Sequence, residues 1–271
     1  MGVRKPGFRL LLTLALVLLA LLLAGCDTKD PQNTFSPVGD VADDQRDLFN
    51  LVLWPAVVIL ILVEGLLVVA VLRFRRRSPD ELPPKQVHGN TRLELAWTIA
   101  PALLLMVLAV PTVASVVELG RAPGEGALKV TAIGQQWVWS FQYPDYKDAQ
   151  GNVLTVFGTP EQLPEMHIPP NLEIAVQLRA SDVIHSFWVP KLAGKTDAIP
   201  GRNNRMWLIA REPGTYSGQC AEFCGLGHAE MRFVVVVHES MDDFQQWVDD
   251  QLSEEAAAPG SGGPVAGRYG E

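Results

Sequence analysis

Apolar side chains are concentrated in three runs that all end by residue 119, and beyond that point they alternate with polar residues in short stretches. The first run, residues 10–23, follows Arg4, Lys5 and Arg9 and closes on Leu23-Ala24-Gly25-Cys26. A basic start, a short apolar centre and small residues before a cut describe a secretory signal, whereas a span needs about 20 apolar residues. The second run, residues 48–72, has Glu64 as its only charge, and the third, residues 93–119, contains Pro101 and Pro111. Each is long enough to cross a hydrocarbon core about 30 Å thick, so residues 48–119 are predicted to form a two-helix transmembrane hairpin.

The stretch joining the spans holds six basic residues, Arg73, Arg75, Arg76, Arg77, Lys85 and Arg92, against Asp80 and Glu81. The positive-inside rule places it in the cytoplasm, so both ends of the mature chain face the periplasmic side of a bacterial inner membrane. Leu-Ala-Gly-Cys resembles a bacterial lipoprotein signal, which implies removal of residues 1–25 and lipidation of Cys26. A lipidated Cys26 also belongs on the outer face, so two unrelated signals agree on one orientation. An uncleaved membrane helix is the alternative for the first run. Residues 26–47, polar and holding Pro31, Pro37 and several Asp, read as an exposed linker.

Residues 120–255 read as a water-exposed domain. Stretches 127–134, 136–143, 172–179, 204–211 and 231–237 are bounded by Gly, Pro and Asp and predict short strands of an all-β sandwich or barrel. Ser240 is placed to cap a closing helix whose apolar stripe is Phe244, Trp247, Val248 and Leu252. Residues 256–271, rich in Ala, Gly, Ser and Pro, are expected to be a disordered tail.

Charge sharpens this division. Residues 1–118 balance 11 basic with 11 acidic side chains, so the whole net charge of −8 lies on residues 119–271. That acidity either keeps the exposed domain soluble or favours a basic partner, and it excludes an electrostatic binder of nucleic acid. Glu94, near the start of the second span, either complements the helix dipole or admits protons to a partner subunit.

The chemistry is concentrated between Cys220 and Met231, where two thiols, an imidazole and a thioether fall within 12 residues: Cys220, Cys224, His228 and Met231. Thiolate and thioether sulfur favour reduced copper, imidazole accommodates both oxidation states, and a weak axial thioether tunes the potential. A Cys220–Cys224 disulfide and a structural zinc site compete with copper. A disulfide, however, gives no reason for His228 and Met231 to follow, and methionine is a poor zinc ligand. His185, in Asp182-Val183-Ile184-His185-Ser186-Phe187-Trp188, is the leading further ligand, ahead of His88, His167 and His238. Spacing alone leaves that choice open.

The Cys220 to Met231 segment keeps a C-x3-C-x3-H-x2-M pattern. Together with Gln136-Trp137-Val138-Trp139-Ser140, Glu94-Leu95-Ala96-Trp97-Thr98, Asp182 to Ser186 and Lys195-Thr196-Asp197-Ala198-Ile199-Pro200-Gly201-Arg202, it resembles subunit II of the haem–copper cytochrome c oxidases. The resemblance runs from the first span to the closing helix. It implies a cupredoxin-like β-barrel holding the binuclear copper centre Cu-A, with Cys220 and Cys224 bridging two coppers. His185 and His228 would each bind one copper, and Met231 and the main-chain carbonyl of Glu222 would be weaker ligands.

The resemblance also implies that Trp137 accepts electrons from cytochrome c and that Asp145, Asp148 and Asp182 form the docking surface. Glu94 would stand at a proton-channel entrance, and the Glu222 side chain would bind magnesium against subunit I. The implied partners are cytochrome c, subunit I with its haem and Cu-B, and subunit III. The implied activity is oxygen reduction by the complex, coupled to proton pumping, with this chain unable to reduce oxygen alone. Val138, Gln142 and Lys147 depart from the family, which often has an aromatic residue or acids there, so the acidic patch is weaker or displaced. From a different class, a membrane-anchored copper-delivery or thiol–disulfide protein would use the same cysteines but leave Trp137 and the spans unexplained.

Overall fold

The computed structural model describes residues 31–76, 78, 86, 88–158 and 162–257, with Thr13 and Val17. Apart from those two positions, the signal segment lies outside the described residues, as do Cys26 with its lipidation and the tail from residue 258.

Helices α1 (Asp40–Phe74) and α2 (Thr91–Leu119) stand where the second and third apolar runs predict them. Their large apolar side chains, among them Ile61, Leu72, Leu105 and Val110, are exposed on the chain's own surface, as expected of helices solvated by lipid or by another membrane subunit. At 1.5 Å per residue, the 35 residues of α1 span about 50 Å, well beyond a core of about 30 Å. The surplus lies at the N-terminal end, where residues 40–47, expected in the linker, are helical. Their polarity reflects tertiary contacts: Val41 and Ala42 are buried, while Asp40 and Asp43 hold Arg211.

The exposed domain is a sandwich of two five-stranded sheets, one ordered β3-β2-β1-β5-β8 and the other β4-β10-β9-β6-β7. The first contains β1 (Leu128–Gln135), β2 (Val138–Lys147), β3 (Val153–Phe157), β5 (Glu173–Ala180) and β8 (Asn204–Ile209). The second contains β4 (Glu165–Ile168), β6 (His185–Trp188), β7 (Thr196–Ala198), β9 (Gly214–Cys220) and β10 (Arg232–Val237). Pairing is antiparallel except for β1 with β5 and β4 with β10.

Alternation explains the inner faces. On β2, Trp139, Phe141 and Tyr143 point inward, and on β10 Phe233, Val235 and Val237 answer them from the opposite sheet. Phe187 of β6 stacks on Phe233 at 4.6 Å between centroids, an arrangement that adds about 0.5–1.5 kcal/mol to the burial itself. The last helix, α3 (Met241–Ala257), starts as expected, with Ser240 Oγ accepting from the Asp243 N–H at 3.1 Å, and it buries Phe244 and Val248.

Two clamps join the sandwich to the helices. Gly39 forms a bridge with Ala210, and Val38 and Gly39 both donate to the Lys191 carbonyl. A methyl group on Gly39 would overlap the Leu192 backbone, so the chain can enter α1 here only with a bare Cα. At the end of α2, Arg121 forks onto Glu173 at 2.9 and 3.0 Å, binds Glu118 at 2.7 Å and lies over the Trp207 ring at 3.9 Å. A planar guanidinium suits this combination of fork and stack, which lysine could not reproduce.

Candidate metal centre

Strand β9 ends at Cys220 and β10 begins at Arg232, so the intervening loop is held at both ends by ladder pairing between Arg232 and Gln219. It doubles back through Gly225, whose φ of 117° is open to glycine, and a short 3-10 turn, His228–Glu230. Strand β6 pairs with β9 through Phe187 and Cys220, which brings His185 to the loop. Gly134 on β1 leaves the space this imidazole fills, since a Cβ there would come within 2.9 Å of the His185 ring.

The six expected ligand groups converge. The Cys220 and Cys224 sulfurs are 3.8 Å apart, too far for a disulfide, and both are free and buried. Around Cys220 stand His185 Nδ1 at 3.9 Å and the Glu222 carbonyl at 3.3 Å. Around Cys224 stand His228 Nδ1 at 3.6 Å and Met231 Sδ at 3.8 Å. Ligand atoms of His185, Cys220 and Cys224 all lie within 4.8 Å of one another. A cavity of about 540 Å³ lined by Gln45, Trp188, Lys195 and Gln219 opens onto Cys220 and His228, giving an ion a way in.

Electrostatics prepares one thiol and holds back the other. Burial opposes charge on Cys220, but hydrogen bonds from His185 and neighbouring groups outweigh it and bring the thiol down to about 6. Burial and then the charge on Cys220 push Cys224 up to about 12. A bound cation would remove that mutual repulsion, as expected where two thiolates share a metal.

Asp182 stands behind His185. Its Oδ1 accepts from His185 Nε2 at 2.9 Å and from the Val183 N–H at 2.6 Å, and its Oδ2 accepts from the Gln136 N–H at 2.7 Å. Burial disfavours the carboxylate, yet these bonds, led by His185, hold it below the usual range. The bond to Nε2 holds the ring with Nδ1 facing Cys220, where Nδ1 can bind a cation once its own proton is displaced, the usual work of a carboxylate behind a metal-binding histidine. Asp182→Asn is expected to weaken copper binding about 10–100-fold, measured by competition with a chelator.

The other expected site residues occupy distinct places. Trp137 is 40% exposed at the turn before β2, and its Nε1–H donates to the Cys224 carbonyl at 3.1 Å. Gln136 Nε2 reaches the same carbonyl at 2.7 Å. Trp139, two residues on, is wholly buried and meets the His185 ring edge-on at 6.0 Å, so the two tryptophans do not share a face. Asp145 pairs with Lys129 at 3.2 Å, and Asp148 holds the Gln150 and Asn152 amides of its own turn. Each expected docking acid thus already has a partner. Glu94 accepts from the Asn90 N–H at 3.0 Å while Asn90 caps α2, so the helix-start reading describes its contacts.

Family comparison rests on both halves of the chain. The family model of the cytochrome C oxidase subunit II periplasmic domain matches residues 128–238, and that of the transmembrane domain matches residues 32–114. The chain belongs to the cytochrome c oxidase subunit II family. Cytochrome c oxidase subunit 2 of Alkalihalophilus pseudofirmus is 35% identical, with 89% of this chain and 68% of that protein covered. The Bacillus subtilis protein is 37% identical over 93% of this chain and 70% of its own length, and that of Arabidopsis thaliana 32% over 85% and 94%. The solved periplasmic domain of subunit II from Bradyrhizobium japonicum is 35% identical, with 49% of this chain and 99% of that chain covered at a TM-score of 0.44. As a cytochrome c oxidase subunit II, the chain is part of a haem–copper oxidoreductase complex, anchored in a membrane with its β domain periplasmic.

Two contributors were missed by sequence reasoning about this subunit II. Asp182 was assigned to docking, although its position three residues before His185 was the available signal for an orienting role. Gln136 shows in sequence only as part of a motif, and its bond across 88 residues to the Cys224 carbonyl has no local signature.

Proposed function

We propose that this subunit II accepts electrons from cytochrome c at a binuclear Cu-A centre and hands them to haem in subunit I. There oxygen would be reduced and protons pumped. The observation that carries the reading is the convergence of two buried cysteine sulfurs, two imidazole nitrogens, a thioether and a carbonyl in one loop cluster. This donor set fits copper, since soft sulfur dominates and no carboxylate oxygen joins it. Bound there, a copper pair supplies a one-electron couple whose ligands need little rearrangement.

The chain's own residues do the rest. Strands β6, β9 and β10 hold the ligands, and buried Phe187 and Phe233 limit their movement. Trp137 offers an exposed ring to the donor while its indole N–H stays on the ligand loop. The exposed Glu222 side chain is free to meet magnesium and subunit I, while its carbonyl faces Cys220. Lipidation of Cys26 and the inner-membrane orientation, with both mature ends outside, complete the proposal.

Copper analysis with electron paramagnetic resonance on the purified complex tests it. Three coppers per complex are expected, one of them the Cu-B of subunit I and the other two sharing one unpaired electron in this chain. A single localised copper, or a Cys220–Cys224 disulfide after full loading, would favour the copper-delivery or thiol–disulfide reading instead.

A further inference from the structure

Away from the metal centre, two histidines face each other beneath α3. His167 lies on β4 and His238 one residue beyond β10, and the parallel pairing of these strands brings the rings level. His167 Nδ1 and His238 Nε2 are 3.0 Å apart, and His167 Nε2 is 3.1 Å from the Glu165 carboxylate. Trp247 of α3 lies flat on His167, with 4.0 Å between centroids and 8° between planes, and Phe244 meets His238 edge-on at 5.8 Å. The Tyr143 hydroxyl accepts from the His167 N–H at 2.7 Å and donates to its carbonyl at 3.0 Å.

With both rings neutral, one arrangement of protons satisfies every bond. An ionised Glu165 only accepts, so His167 Nε2 carries its hydrogen and Nδ1 presents a lone pair, to which His238 Nε2 must donate. A first added proton goes to His238 Nδ1 and leaves these bonds intact. A second sets N–H against N–H across 3.0 Å, with a positive charge on each side, and that bond breaks. The charged groups facing the pair are Glu165 from β4 and Asp243 from α3, while Tyr143 from β2 stays neutral because burial raises its phenol.

We propose that His167 and His238 form an acid-sensitive latch, which holds α3 on the sandwich while the pair has taken up at most one added proton and releases the helix when both rings are charged. Burial, and after it His238, brings His167 down to about 4, and burial lowers His238 against the pull of Asp243. A histidine lowered by docking stabilises the docked form fully above its free value of about 6.5 and loses that contribution as pH falls from there toward 4. Taking His167 alone, the equilibrium constant for release rises about 30-fold between pH 7.5 and 5. Ordinary Asp and Glu side chains titrate mostly below that window.

Hydrogen–deuterium exchange of the full chain in its complex, read over α3 and corrected for the intrinsic pH dependence of amide exchange, tests the latch. Opening of α3 should be about 30-fold more frequent at pH 5 than at pH 7.5, with β1 and β5 unchanged. His167→Gln should remove most of the acceleration, leaving the smaller part carried by His238, and His167→Phe, which keeps the stack on Trp247, serves the same comparison if the glutamine variant does not fold. Equal opening at both pH values, or the same acceleration in a folded variant, overturns the proposal.

Discussion

Cys224→Ser should eliminate the shared copper signal and leave one localised copper or none. Cys224 is the node of the cluster, with sulfur or nitrogen of Cys220, Met231 and His228 at 3.8, 3.8 and 3.6 Å. A serine hydroxyl is hard and stays protonated at neutral pH, so it can neither bridge two soft ions nor offset their charge. Turnover with cytochrome c should fall by more than the roughly 100-fold that losing an outer partner of a metal ligand can cost. Copper content and the resonance spectrum give the direct check, because a general loss of folding would show in the strand amides as well. A native spectrum in this variant would remove Cys224 from the bridging role.

Trp137→Ala should separate electron acceptance from metal binding. The ring seats on the ligand loop through two close approaches: a Cβ on Gly225 would meet it at 3.2 Å, and one on Gly227 at 2.7 Å. The loop carries glycine at both places, which lets the indole lie against the backbone of the cluster while remaining open to a partner. Removing the ring leaves all six ligand groups in place but widens the gap to any docked donor by several side-chain atoms, and electron transfer slows steeply with each added ångström. Stopped-flow reduction by cytochrome c should slow by about tenfold or more, with copper content and spectrum unchanged. An unaltered rate would assign electron acceptance to another surface.

What could be read from the sequence follows how local each signal is. Most of the cluster was legible because Cys220, Cys224, His228 and Met231 lie close together in sequence, and the two long helices because each is a long unbroken apolar run. Strands of alternating pattern, such as β1, β5 and β10, were found within a residue or two. Strands β6 and β7, with four and three residues, were missed because so short a run carries no period. Residues 40–47 looked like a linker because the groups that satisfy them, Arg211 above all, are distant in sequence. The same reason hid Asp182. Its acidity was visible, but its three hydrogen bonds to His185, Val183 and Gln136 were not. His167 and His238 were passed over because 71 residues separate two rings that touch.

The pairing of the last strand also fixes when the centre can exist. Met231 immediately precedes β10, and β10 completes the second sheet by joining both β9 and the much earlier β4. Until ribosome and export machinery have delivered nearly the whole domain, His185 has no loop to face and the cysteines have no frame to hold them apart. Non-local pairing of this kind is slow compared with helix formation, so the hairpin can be in the membrane while the sheets are still incomplete. During that interval Cys220 and Cys224 are ordinary thiols of an unfinished chain, open to oxidation in the compartment where they emerge. The frame that could hold a metal ion is therefore among the last parts of the domain to form, and the two thiols meet the oxidising side of the membrane before their final strand has docked.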